Sequence, residues 1–120
     1  MRVLIVDDLE SNRMLLSHLT EQQGHIPITC DNAEQALQAF GKHGADLIFM
    51  DVVMPRVDGY VAAKQLKELI ADRFVPIIFI TALQDDEALA RCLEFGDDFL
   101  VRPLSQIMFN AKISAQIRTI

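Results

Sequence analysis

The middle of the chain reads Asp46-Leu-Ile-Phe-Met-Asp-Val-Val-Met-Pro55. In this stretch a short apolar run, Leu47-Ile-Phe-Met50, is followed directly by the acidic residue Asp51. The same order occurs near the start, where Arg2-Val-Leu-Ile-Val6 is followed directly by Asp7 and Asp8. Neither run alternates apolar with polar residues, which is typical of strands buried on both faces of a parallel sheet. The two stretches therefore predict an α/β protein whose strands end in carboxylates.

Stretches with helical spacing separate these two strands from three others. Further strands are predicted over residues 25–29, 75–80 and 99–101, the first of them at a sheet edge because Pro27 cannot donate a ladder hydrogen bond. Helices are predicted over residues 9–23, from residue 33, from Asp58-Gly59, from residue 85, and from about residue 104 to the end. This (βα)5 order predicts a parallel sheet with helices on both sides, a three-layer sandwich.

Local signals mark the helix ends and the faces expected to pack on the sheet. Gly24 is predicted to follow the end of the first helix, and Asp31 or Asn32 to cap the second, with Glu34 and Gln35 placed for a capping box. The apolar faces of the first and third helices are predicted as Leu15, Leu16 and Leu19, and as Ala62, Leu66, Leu69 and Ile70.

Composition narrows the classes of protein further. The 120 residues are 51% hydrophobic and 23% charged, which is enough to build a core and excludes a disordered chain. Seventeen acidic against eleven basic residues argue against direct nucleic-acid binding, because phosphate contacts need clustered Lys and Arg. No apolar run could span a bilayer, and two cysteines make no disulfide scaffold. We expect a cytoplasmic, single-domain protein without membrane contact.

The reactive side chains fall at the carboxyl ends of the predicted strands: Asp7, Asp8, Asp51, Thr81 and Arg102. In open α/β sheets this edge is where ligands bind. Two carboxylates ~4 Å apart repel by about 4 kcal/mol at an effective dielectric near 20, so a hard cation such as Mg²⁺ would relieve them. A carboxylate beside that cation could accept a phosphoryl group. Each aspartate alone could instead be a turn residue or a helix N-cap.

Together these residues resemble the receiver domain of bacterial two-component response regulators, over residues 1–120. The resemblance rests on Val6-Asp7-Asp8, Asp51-Val-Val-Met-Pro55 with Asp58-Gly59, Thr81-Ala82, Asp97-Asp98-Phe99 and Arg102-Pro103. It implies a flavodoxin-like fold with strand order 2-1-3-4-5.

The resemblance also implies roles for single residues. Asp51 would accept a phosphoryl group from a histidine kinase or phosphotransfer protein. Mg²⁺ would be held by Asp8, Asp51 and the backbone carbonyl of Val53, with Asp7 acting through water. Thr81 would bind the phosphoryl group and, with Phe99, form a switch that changes the surface of the fourth helix, fifth strand and fifth helix.

The sequence departs from the family pattern at two places. Arg102 stands where the family has Lys, which keeps the charge but changes length and geometry. Phe95-Gly96 replaces the usual Gly-Ala, so the end of the fourth helix is expected to be distorted. The bond into Pro103 is expected to be cis, as is common in the family.

The last helix shows two apolar stripes, one more than a helix on a sheet needs. Leu104, Met108, Ala111 and Ala115 are predicted to pack on the sheet. The second stripe, Phe109, Ile113, Ile117 and Ile120, is predicted to meet a partner: a second copy, a target protein, or an effector domain in a longer protein. The alternative is a loosely covered or frayed terminus.

Three functions remain open from the sequence. The first is a phosphorylation-controlled signalling switch, which is not an enzyme in the turnover sense. The second is a phosphorylation-independent interaction module with the same fold, for which Arg102 and the Phe95 turn give some support. The third, a phosphatase or phosphotransferase with an Asp nucleophile, usually has an acid/base Asp two residues later, and that position holds Val53.

Overall fold

The computed structural model describes residues 1–52, 59–82 and 86–119, with side chains as far as residue 116. Strands and helices alternate as β1 (Arg2–Val6), α1 (Glu10–Gln22), β2 (Ile26–Cys30), α2 (Ala33–His43), β3 (Leu47–Asp51), α3 (Gly59–Ile70), β4 (Ile77–Thr81), α4 (Asp86–Phe95), β5 (Asp98–Val101) and α5 (Gln106–Thr119). The predicted order of elements is confirmed, with ends that differ by one or two residues.

All five strands run parallel in the order β2-β1-β3-β4-β5. The flavodoxin-like topology is therefore confirmed, and β2 lies at an edge as Pro27 predicted. Strands β1, β3 and β4 are almost completely buried because helices cover both faces. None of the helices described here is both long and apolar enough to cross a membrane.

Alternate residues of β1, β3, β4 and β5 supply two hydrophobic clusters, one on each face of the sheet, and β2 contributes to the first of them. Helices α2, α3 and α4 contribute to the first cluster, and α1 and α5 to the second. In the second cluster the ring of Phe49 on β3 stacks on Phe109 of α5, with centroids 4.9 Å apart. These clusters hold the strands in fixed register, which is what places the strand ends precisely.

The helix caps follow the sequence signals. Gly24, directly after the C-cap residue Gln23 of α1, has φ of +80°, a conformation that glycine adopts without strain. The side chain of Asn32 accepts a hydrogen bond from the Gln35 amide at 2.8 Å, and the Gln35 side chain accepts one from the Asp31 amide at 3.0 Å. Two otherwise free amides at the start of α2 are thereby satisfied.

The stripe assignment of the last helix is wrong. Phe109 and Ile113 are fully buried against the sheet, whereas Met108 is 50% exposed and Ile107 80% exposed. The larger side chains bury more apolar surface, so this phase of the helix is the stable one. Ile120, like the side chain of Ile117, lies outside the described part.

Two smaller assignments also fail. Leu15 on α1 is 43% exposed and Leu69 on α3 is 46% exposed, although their neighbours on the same predicted faces are buried. Each residue lies at the edge of the apolar stripe of its helix. The part of the stripe that contacts the sheet is narrower than the set of apolar residues in the sequence.

The unusual Phe95-Gly96 pair leaves α4 intact. The helix continues without interruption to Phe95, and the Gly96 amide donates to the Cys92 carbonyl at 2.9 Å. A Cβ on Gly96 would lie 2.6 Å from the ring of Phe79. The Phe95 ring packs 5.6 Å from the ring of Tyr60. Glycine is therefore required at position 96 in this packing, and the expected distortion of the described helix is absent.

A pH-dependent contact lies at the outer edge of the sheet, where His25 Nδ1 is 3.0 Å from the Met1 ammonium. Burial and the nearby ammonium lower the pKa of His25, and the Asp46 carboxylate acts in the opposite direction. His25 therefore binds a proton less readily in the folded state than in the unfolded state. The stabilising contribution of the neutral His25 side chain is present above pH about 6.5 and is lost as pH falls through the pKa of the folded state.

We expect the thermal stability of the wild-type protein to fall more steeply between pH 7.5 and about 5.5 than that of His25→Gln. Melting temperatures measured by circular dichroism across that range test this. His18→Gln is the control because His18 is exposed. Equal slopes for the wild type and His25→Gln would contradict the assignment.

Candidate functional site

The carboxylates predicted from the strand ends lie together. Val6 on β1 pairs with Met50 on β3, so the next residues, Asp7 and Asp51, leave neighbouring strands side by side. One carboxylate oxygen from each of Asp7, Asp8 and Asp51 lies within 4.8 Å of the other two. We call these three residues the acidic cluster.

Asp7 is completely buried and both of its carboxylate oxygens have partners. Oδ1 accepts a hydrogen bond from the Leu9 amide at 3.0 Å, and Oδ2 accepts one from Arg102 Nη2 at 2.7 Å. Asp7 thus orders the turn before α1, although Leu9, whose side chain makes no capping bond, is the N-cap residue. The N-cap alternative for Asp7 is excluded.

Arg13 also supports the turn before α1, a role that we did not predict from the sequence. Its Nη1 donates to the backbone carbonyl of Asp7 at 2.7 Å from one turn inside α1. A basic residue six positions after a strand-end acid is the only sequence signal for it, and such spacing is common on helix surfaces.

Arg102 reaches into the cluster from the end of β5. Its amide donates to the Thr81 carbonyl at 2.8 Å, which fixes the backbone beside β4, and the following Pro103 bond is cis as expected. The Nη2 atom that bonds Asp7 lies 3.5 Å from Asp51 Oδ2. The Nε atom is buried without a hydrogen-bond partner among the described residues.

Asp51 is 97% buried, and its backbone is tightly packed against the start of α3. The Gly59 amide donates to the Val52 carbonyl at 2.8 Å. A Cβ on Gly59 would overlap the Asp51 carbonyl oxygen and lie 2.8 Å from Val52 Cα. Gly59 is therefore part of the support of the site, a role that its position in the sequence did not reveal.

Thr81 and Phe99 lie on the same side of the site. Thr81 is buried at the end of β4, one residue beyond Ile80, the strand partner of Asp51. Phe99 on β5 pairs with Phe79 and is partly buried, with Lys112 Nζ 5.7 Å from its ring centre. The carbonyl of Val53 lies outside the described residues.

A family model described as the response regulator receiver domain matches residues 3–114. The chain belongs to this family. Solved structures agree with it: a two-component response regulator from Clostridium difficile superposes with a TM-score of 0.91 at 27% identity, covering 98% of this chain and 96% of that one. A chemotaxis protein of Vibrio cholerae gives 0.88 at 27% identity, with coverages of 95% and 96%.

Curated relatives of this receiver domain are longer proteins. The probable transcriptional regulator ycf27 of Guillardia theta is 36% identical over 118 residues, which is 98% of this chain and 45% of that protein. The alkaline phosphatase synthesis transcriptional regulatory protein PhoP of Bacillus subtilis is 35% identical, with coverages of 98% and 48%. The chain spans about half the length of these relatives.

The donor set of the receiver's acidic cluster fits a magnesium ion. Carboxylate oxygens are hard ligands, and Mg²⁺ binds through one or two carboxylates while it keeps several waters. Asp8 is only partly buried, so the cluster is open to solvent on that side. Asp8 and Asp51 each offer a carboxylate that could hold the ion. Both Asp7 oxygens accept protein hydrogen bonds.

Proposed function

We propose that this receiver domain is a phosphorylation-controlled switch of a two-component phosphorelay, with Asp51 as the phosphoacceptor. The observation that carries the proposal is the acidic cluster at the carboxyl ends of β1 and β3, with the guanidinium of Arg102 beside it. Buried carboxylates beside a fixed cation are suited to receive an anionic group whose charge must be neutralised.

The chemistry proposed is an in-line transfer to Asp51. A carboxylate oxygen of Asp51 attacks phosphorus, a P–O bond forms, and the bond from phosphorus to the donor's leaving group breaks. Arg102 and Thr81 hold the transferring oxygens through charged and hydroxyl donors. Mg²⁺ bound at Asp8, Asp51 and the Val53 carbonyl, with Asp7 acting through water, would supply further positive charge to the transferring group.

The signal proposed leaves through the neighbouring elements. Thr81 turning towards the phosphoryl group would free space that Phe99 fills, which changes the surface of α4, β5 and α5. The proposed donors are a histidine kinase or phosphotransfer protein. The output is proposed to pass to an effector domain or target protein, with α5 taking part through its exposed face around Ile107 and Met108, or through a homodimer.

Incubation with acetyl phosphate and Mg²⁺ is expected to add about 80 Da to the protein, as one phosphoryl group. Intact mass spectrometry measures the adduct. Asp51→Asn should abolish the adduct because an uncharged amide replaces the nucleophilic carboxylate. Asp72→Asn, an exposed acid between the end of α3 and the start of β4, is the matched control and should leave the adduct unchanged.

A second function, a phosphorylation-independent interaction module, is favoured by one observation. Arg102 already neutralises part of the acidic cluster through its 2.7 Å contact with Asp7. A folded wild-type protein that gains no adduct at any acetyl phosphate concentration would support this second function and contradict the first.

A further inference from the structure

The acidic cluster contains its own cation. Arg102 Nη2 lies 2.7 Å from Asp7 Oδ2 and 3.5 Å from Asp51 Oδ2, and the Arg102 side chain is 26% exposed against 0% and 5% for the two acids. The pair is thus largely screened from solvent, where charge–charge interactions are stronger than at the surface. One guanidinium among three carboxylates offsets part of the charge that would otherwise attract a divalent ion.

Arg102 also determines which oxygens are available. Asp7 Oδ2 is bonded to Arg102, and Asp7 Oδ1 is bonded to the Leu9 amide. A cation entering the cluster therefore meets Asp7 with both oxygens in use. An entering cation also meets the positive charge on Nη2, 3.5 Å from the Asp51 oxygen.

We infer that Arg102 acts as a resident counter-ion that competes with Mg²⁺ for the acidic cluster and thereby sets the magnesium affinity of this receiver. The inference rests on the proposed function, since it concerns the regulation of the same site. Magnesium entry weakens the interaction of Arg102 with Asp51 and leaves Arg102 bonded to Asp7. Metal occupancy and the contact of Arg102 Nη2 with Asp51 are therefore linked.

The arginine suits this role better than a simple ammonium would. Its charge is spread over a planar group with several donors, and it is held by Asp7 while still near Asp51. Removing Arg102 would leave the buried carboxylates of Asp7 and Asp51 without their neighbouring cation, which is destabilising in the absence of a metal ion. The stability of the wild-type protein should therefore depend less on magnesium than the stability of variants that lack the guanidinium.

The test is a magnesium titration without phosphodonor. Binding is measured by isothermal titration calorimetry and by amide chemical-shift changes in nitrogen-15 NMR spectra. Arg102→Gln and Arg102→Met should each bind Mg²⁺ about tenfold more tightly than the wild type, which corresponds to about 1.4 kcal/mol. Both variants should also show a larger rise in melting temperature on adding Mg²⁺. Lys67→Gln is the control, since Lys67 pairs with Asp97 outside the cluster.

Two variants keep the test decisive. Arg102→Met retains an unbranched stem of similar length, so it reports on the charge if Arg102→Gln fails to fold. Magnesium dissociation constants in R102M that equal or exceed that of the wild type, with K67Q unchanged, would overturn the inference. Because no phosphodonor is present, such a result leaves the acetyl phosphate assay on Asp51 to judge the proposed function separately.

Discussion

Phe109→Ala is expected to lower the free energy of unfolding by about 3–5 kcal/mol, the cost typical of removing a buried aromatic ring. Phe109 is fully buried on the inner face of α5, and its ring stacks 4.9 Å from that of Phe49 on β3. The truncation would leave a cavity in the cluster formed with β1, β3 and β4. Urea denaturation followed by circular dichroism measures the change.

Met108→Ala is the matched control on the same turn of α5. Met108 is 50% exposed, so its truncation should change the free energy of unfolding by no more than about 0.5 kcal/mol. The opposite ranking, with Met108→Ala the more damaging, would mean that the Leu104 and Met108 stripe packs on the sheet after all. The pair of variants thus decides the phase of α5 directly.

The phase of α5 could not be read from the sequence because periodicity defines stripes without saying which one faces the sheet. Phe109 and Ile113 form a heavier stripe than Met108 and Ala111, and a comparison of side-chain area would have favoured the observed packing. Leu15 on α1 fails for a related reason. A residue at the edge of a stripe is buried or exposed according to how closely a neighbouring helix approaches, which is a tertiary property.

The order of elements was predictable because it depends on signals within single segments. Buried parallel strands are apolar on both faces, and Gly24 and Asn32 mark a helix end and a helix start through local backbone and hydrogen-bond requirements. The edge position of β2 followed from the missing amide of Pro27 alone. These signals survive folding because they describe each segment before it meets the others.

The site was predictable only as far as one topological rule reaches. That rule places Asp7, Asp8 and Asp51 at one edge, and the structure brings them within 4.8 Å. It says nothing of pairwise contacts, so the bond from Arg102 to Asp7 and the donation from Arg13 to the Asp7 carbonyl appear only in three dimensions. Arg102 and Asp7 lie near opposite ends of the sequence, and Arg13 contacts the backbone of Asp7 rather than its side chain, so no local residue pattern records either bond.

Gly59→Ala is expected to destabilise the protein by about 1–3 kcal/mol and to reduce phosphorylation of Asp51. An added Cβ would overlap the Asp51 carbonyl oxygen and lie 2.8 Å from Val52 Cα, and both obstacles are backbone. Neither can rotate away as a flexible side chain would, so either the start of α3 or the end of β3 must shift. A shift of β3 moves the Asp51 carboxylate relative to Asp7 and Arg102.

The same substitution at Gly41 should have the opposite sign. Gly41 lies within α2, and a Cβ there meets nothing within 4 Å. Alanine is favoured over glycine inside a helix by about 0.5–1 kcal/mol, so Gly41→Ala should stabilise the fold and leave the Asp51 adduct unchanged. Urea denaturation and acetyl phosphate labelling of the two variants, measured side by side, separate local crowding from the general effect of the residue change. Equal stability and equal labelling in both variants would show that Gly59 does not support the site.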